Sequence, residues 1–156
     1  MKITRRIGAF LAATAAVLGL ASVVAPTPAS AARPHGPQPV NQWLRPVPAG
    51  VPTWVKVWWR TDRRICDARL TVWGGPQVAV SYPGDRSFTS FSNGSTLGRP
   101  ETDYTSFRVT AAGPTLPFLG SALLRARLTY SDCGRFARPR VTDTGFLLPV
   151  TSPAAH

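Results

Sequence analysis

From residue 53 to residue 150, apolar and polar side chains alternate with a period of two, the mark of strands with one face buried. Val55, Val57 and Trp59 alternate with Trp54, Lys56, Trp58 and Arg60. Cys66, Ala68, Leu70 and Val72 alternate with Asp67, Arg69, Thr71 and Trp73. The same rhythm predicts further strands over 77–82, 87–91, 104–111, 122–130 and 145–150. Turn formers fall between them: Gly74-Gly75-Pro76, Pro83-Gly84-Asp85, Asn93-Gly94, Gly98-Arg99-Pro100 and Gly113-Pro114. No stretch carries a helical stripe. About seven short strands, with turn signals roughly every ten residues, predict an all-β, immunoglobulin-like antiparallel β-sandwich.

The first two strands can be taken to a register. A tight turn at Asp62-Arg63 would make them a hairpin with Arg60 opposite Ile65. Trp59 would then face inward beside Cys66, with Val57 beside Ala68 and Val55 beside Leu70. Outward, Trp54, Lys56, Trp58 and Arg60 would share one face with Asp67, Arg69, Thr71 and Trp73. Lys56 would sit opposite Arg69, a like-charge pair that costs stability unless an anion or a ring face relieves it.

The segments outside this domain are of other kinds. Lys2, Arg5 and Arg6 precede an apolar run from 7 to 25, and Ala29-Ser30-Ala31-Ala32 supplies the small residues a signal peptidase reads. Residues 1–31 are therefore expected to be a cleavable signal peptide, and an uncleaved anchor is the rival reading. Residues 32–52 form an extended arm, because six prolines fall between Arg33 and Pro52. Trp43 and Leu44 are expected to pin its middle to the domain at 53–150. Residues 151–156 read as a disordered tail.

An exported chain meets oxidising conditions, so the only two cysteines, Cys66 and Cys133, are expected to form a disulfide. Closing that loop is worth about 4 kcal/mol on a chain-entropy model. The bond poses a topological question. Cys66 opens one predicted strand and Cys133 follows the end of another, so the two must be antiparallel, yet an up-and-down count of seven strands makes them parallel. Either one predicted strand is a loop or residues 131–133 fold back.

The whole chain has 18 basic and 7 acidic side chains, a net charge of +11. Without the signal peptide the balance is +8, which favours anionic partners such as wall polymers, nucleic acid or acidic lipid surfaces. Arginine outnumbers lysine so heavily that a compositional origin is the plainer explanation of the charge. Catalytic chemistry finds little to use. The only histidines after the signal peptide are His35 and His156, both in predicted loose segments, and a proton-transfer group needs a rigid mount. No metal-ligand spacing, phosphate-cradling loop or cofactor motif is present. The expectation is a non-enzymatic protein with no cofactor, no metal and no membrane span after signal cleavage.

The positive signal is the aromatic and basic strand face: Trp54, Lys56, Trp58, Arg60, Arg69 and Trp73. Exposed indoles are enriched at binding surfaces, and cations beside them suit an anionic or cell-wall glycan. The plainer reading is that the arm or a second copy covers the rings. The alternative function is a secreted inhibitor or binder of a secreted protein partner, presenting a loop over 92–101.

One resemblance can be stated on particular residues. The run Val55-Lys56-Val57-Trp58-Trp59-Arg60-Thr61-Asp62-Arg63-Arg64-Ile65-Cys66-Asp67-Ala68-Arg69 is joined by Tyr82-Pro83 and Tyr104-Thr105-Ser106-Phe107-Arg108-Val109. Tyr130-Ser131-Asp132-Cys133 and Leu148-Pro149-Val150 complete the set. Together they are similar to a group of small secreted actinobacterial proteins of unknown function. The resemblance implies a secreted or extracellular β protein and brings no activity with it.

Overall fold

The computed structural model describes residues 35–112 and 120–152. The predicted signal peptide, the Gly113-Pro114 turn, His156 and most of the predicted tail lie outside them. Every regular element among the described residues is a strand. They run β1 (Gln38–Pro39), β2 (Val47–Pro48), β3 (Thr53–Arg60), β4 (Ile65–Trp73), β5 (Val78–Ser81), β6 (Thr102–Ala111), β7 (Ser121–Asp132) and β8 (Pro139–Thr151). Two four-stranded sheets result, ordered β1-β3-β6-β5 and β2-β8-β7-β4. All pairings are antiparallel except the short parallel contact of β2 with β8.

The core lies between the sheets. Val55, Val57 and Trp59 of β3 with Phe107 and Val109 of β6 are buried from one side. Ile65, Ala68, Leu70 and Val72 of β4, Leu124 and Leu128 of β7, and Phe146 and Leu148 of β8 are buried from the other. Trp59 and Phe146 meet edge to face with ring centroids 6.3 Å apart, the geometry that ring quadrupoles favour. The Trp59 Nε1 donates to Thr105 Oγ1 at 3.0 Å, so the one polar atom of the buried indole is satisfied.

Among the described residues there are eight strands where about seven were expected. Two of the eight come from the arm, and the segment 87–91 is not a strand. Its backbone bonds are divided between the sheets: Thr89 exchanges both bonds with Leu70 of β4, while Phe91 bridges Thr105 and the Ser92 amide donates to the Tyr104 carbonyl of β6. Removing this segment from the count makes β4 and β7 antiparallel, which answers the question the disulfide posed. The Cys66–Cys133 bond forms with its Cα atoms 5.3 Å apart, staying within one sheet.

The predicted hairpin does not form. β3 and β4 lie in different sheets, and residues 61–64 arch over the edge between them. Thr61, mostly buried, caps the arch by donating to the Arg63 carbonyl at 2.7 Å and accepting from the Arg63 amide. β3 pairs with β6, and β4 with β7. A hairpin and an arch bury the same alternate residues, because both leave one face of each strand against the core. Lys56 therefore lies opposite Ser106, and Arg69 opposite Thr129; the predicted like-charge pair does not form. A bulge at Asp67, whose φ is 55°, inserts one residue into β4. It turns Ile65 inward and Cys66 to the rim, against the inward position expected for Cys66.

Chain segments stitch both sides of the sandwich. Segment 82–97 covers the open edge of β4: Ile65 and Leu97 exchange backbone bonds, the Ala68 amide donates to Ser95, and Tyr82 Oη bonds both the amide and the carbonyl of Val72. On the other side the arm is held rather than loose. β1 pairs with β3, Leu44 and Leu147 are bonded, and β2 pairs with β8. His35 Nδ1 lies 3.0 Å from Asp62 Oδ2, and the Gly36 amide donates to Asp62 Oδ1 at 2.8 Å. Gly36 has a φ of 98°, which strains any other residue, and a Cβ there would lie 2.6 Å from Tyr130 Oη and displace that hydroxyl. β8 continues to Thr151, one residue into the predicted tail, where the Thr151 carbonyl accepts from Ala49.

Candidate functional site

The outward residues of β3 set the site, because the alternation that buries Val55, Val57 and Trp59 leaves their neighbours in solvent. In register with β6, Trp54 lies opposite Arg108, Lys56 opposite Ser106, Trp58 opposite Tyr104 and Arg60 opposite Thr102. The side chains interleave. Lys56 Nζ sits 4.3 Å over the Tyr104 ring, the Tyr104 and Trp58 centroids are 5.0 Å apart, and the Arg108 guanidinium lies 6.0 Å from the Trp54 ring. Arg108 Nε also donates to Ser81 Oγ of β5 at 3.2 Å. Lys56 and Arg108 thus each rest near the negative face of a ring, a contact worth about 0.5–1 kcal/mol at an exposed site.

No outward position of β3 or β6 carries a carboxylate. The acidic residue in β6, Asp103, points inward and is 5% exposed. It accepts from the Ser92 hydroxyl, the Asn93 amide at 3.0 Å and the Tyr104 amide at 2.7 Å. Burial pushes its pKa up, but the bonds from Ser92, Asn93 and Tyr104 together outweigh burial and hold it below the ordinary carboxylate value. Among the described residues the ion pairs engage Asp62, Asp132 and Asp143, and none involves Lys56, Arg60 or Arg108. The face is an unneutralised strip of cations and rings.

The described part of the arm does not cover this strip: Trp54 remains 52% and Trp58 43% exposed. Sequence reasoning named Trp54, Lys56, Trp58 and Arg60, and these four do lie together. Tyr104 and Arg108 were missed. Their outward alternation in β6 was readable, but nothing in the sequence identified β6 as the neighbour of β3.

Arg69 and Trp73 belong to the outer face of the other sheet. Trp73 lies opposite Arg125, and the Arg127 guanidinium is 5.8 Å from its ring. Arg127 is itself paired with Asp143 through two bonds of 2.8 and 3.1 Å, which hold the Asp143 pKa below the usual range. Arg69 stacks 5.0 Å from Phe88. The six residues expected on one face are therefore divided four and two between the two sides of the sandwich, because β3 and β4 part at the arch. The loop over 92–101 is also tied down as far as Leu97: Leu97 is 1% exposed and its backbone is bonded to Ile65.

No protein-family model matches the chain, and no curated protein matches it in sequence. Among solved structures it is similar to murine CRIg, with 12% identity over 74% of this chain and 98% of that one and a TM-score of 0.35, too slight a likeness to carry an argument.

Proposed function

We propose that this protein is a secreted, non-catalytic binding module with an immunoglobulin-like fold, and that it contacts anionic or cell-wall glycan through the outer face of β3 and β6. One observation carries the reading: Trp54, Trp58 and Tyr104 interleave with Lys56, Arg60 and Arg108 on a face without carboxylates. Indoles held half in water are enriched where a partner will cover them, and the cations supply the attraction for a polyanion. The export signal over 1–31 and the disulfide support an extracellular location.

The strand order supports the immunoglobulin-like reading. In that fold strands A, B, E and D form one sheet and C, F and G the other. With β1 as A, the orders β1-β3-β6-β5 and β4-β7-β8 follow the same scheme. The disulfide departs from it, joining the C and F equivalents within a sheet instead of B and F between sheets. The inhibitor reading has less support, since Ser95 and Leu97 within its loop are bonded to the edge of β4.

The test is retention on insoluble peptidoglycan carrying wall polysaccharide. Trp58→Ala is expected to lower retention about tenfold, the loss of one stacked ring and its contact area. Trp73→Ala, on the opposite sheet, should leave it unchanged, and rising salt should weaken the wild type. Retention indifferent to salt and to Trp58→Ala removes the reading.

A further inference from the structure

The arm does more than close an edge of the sandwich. After Val40, whose amide donates to the Trp58 carbonyl at 2.8 Å, the arm crosses from β3 to β8. There the Leu147 amide donates to Gln42, and the Leu44 amide donates to Leu147. Between this crossing segment and β3 lies a groove of about 480 Å³, a size that suits small ligands. Trp43, Trp54 and Trp58 line it, together with Asn41, Arg45 and Lys56.

Trp43 is the informative residue. Its neighbour Leu44 is 6% exposed and supplies the apolar anchor, whereas Trp43 is 64% exposed. Nothing in the packing of the arm requires an indole there. Both walls of the groove are held by backbone hydrogen bonds, so the segments that carry the three indoles are in place around one space before any ligand arrives, and a ligand need not order that backbone. No carboxylate lines the groove, and neither Arg45 nor Lys56 enters an ion pair among the described residues.

We propose that this groove seats sugar rings of an acidic glycan, which rests on the reading of the β3–β6 face above and names where and how a glycan is gripped. The C–H face of a pyranose, weakly positive, matches the negative faces of Trp43, Trp54 and Trp58. Asn41 offers an amide to ring hydroxyls, and Lys56 and Arg45 take the carboxylate or phosphate the sugar carries. A single-stranded nucleic acid would be served better by rings spaced along a basic channel than by three converging on one groove.

The experiment titrates the full exported chain by calorimetry and indole fluorescence with an oligogalacturonate and with wall teichoic acid. A neutral oligosaccharide of equal length and an oligothymidylate are run beside them, with wild type, Trp43→Ala and Trp58→Ala. The expected result is binding of an acidic glycan by the wild type, on the order of tenfold weaker for Trp43→Ala at an unchanged melting temperature. The neutral sugar should bind more weakly. Which acidic glycan binds tighter assigns the anion as carboxylate or phosphate. If Trp43→Ala titrates like the wild type while Trp58→Ala loses affinity, the groove is overturned and the face stands. If the wild type binds neither glycan, the face reading falls and the groove with it. Oligothymidylate bound as tightly and with the same Trp43 dependence overturns the sugar assignment.

Discussion

The pair Trp59 and Thr105 joins the two central strands of one sheet through a fully buried hydrogen bond, and it allows a quantitative test of the core. Both residues are 0% exposed, and the indole N–H donates to the threonine hydroxyl at 3.0 Å. Thr105→Val exchanges the hydroxyl for a methyl of similar size and leaves the N–H buried without a partner, a cost of about 2 kcal/mol. Trp59→Phe removes the donor and leaves a gap of roughly 40 Å³, about 1 kcal/mol at ~24 cal per Å³. It also orphans the Thr105 hydroxyl, for about 1 kcal/mol more. The double variant keeps only the gap, so its loss of about 1–1.5 kcal/mol falls short of the summed single losses by about 2.5–3. Equilibrium guanidinium unfolding followed by circular dichroism, with the m-value unchanged, measures all four corners of the cycle. Losses that add to within about 0.5 kcal/mol would show that the two groups do not act as a buried pair.

Three further outcomes are expected. Tyr82→Phe removes the hydroxyl that bonds both the amide and the carbonyl of Val72; it should lower stability by about 1–2 kcal/mol and, by baring part of the β4 edge, raise light scattering on heating. Replacing Cys66 and Cys133 together by serine should lower the unfolding free energy by about 4 kcal/mol, because the bond closes a sequence separation of 67. Acid should destabilise the fold through two carboxyls. The His35 contact first, then the Gly36 amide, hold Asp62 down to about 2, and Asp103 is also below its ordinary value. A folded pKa below the unfolded one gives stability that is present above about pH 4 and lost as pH falls toward 2. Melting temperature against pH should flatten in that window more for Asp103→Asn than for Asp62→Asn, since Asp62 faces solvent and is screened.

The two-residue rhythm alone determined which side chains of β3 and β4 face the core: Val55, Val57, Trp59, Ala68, Leu70 and Val72 are all buried. It also marked Trp54, Lys56, Trp58 and Arg60, the four outward residues of β3 among the six of the candidate site. Cys66 escaped it because one inserted residue at Asp67 reverses the alternation, and a bulge changes the backbone without changing the residue types. Partnership was decided only by the tertiary structure. Segment 87–91 has strand composition, yet its donors and acceptors are divided between two sheets. Trp54 and Trp73 read as members of one face, yet they stand on opposite sides of the sandwich. Alternation records which face of a strand avoids water, a property of that strand alone. Which strand lies alongside is settled by how long-range hydrogen bonds and packing close the core, and these join residues far apart in the chain.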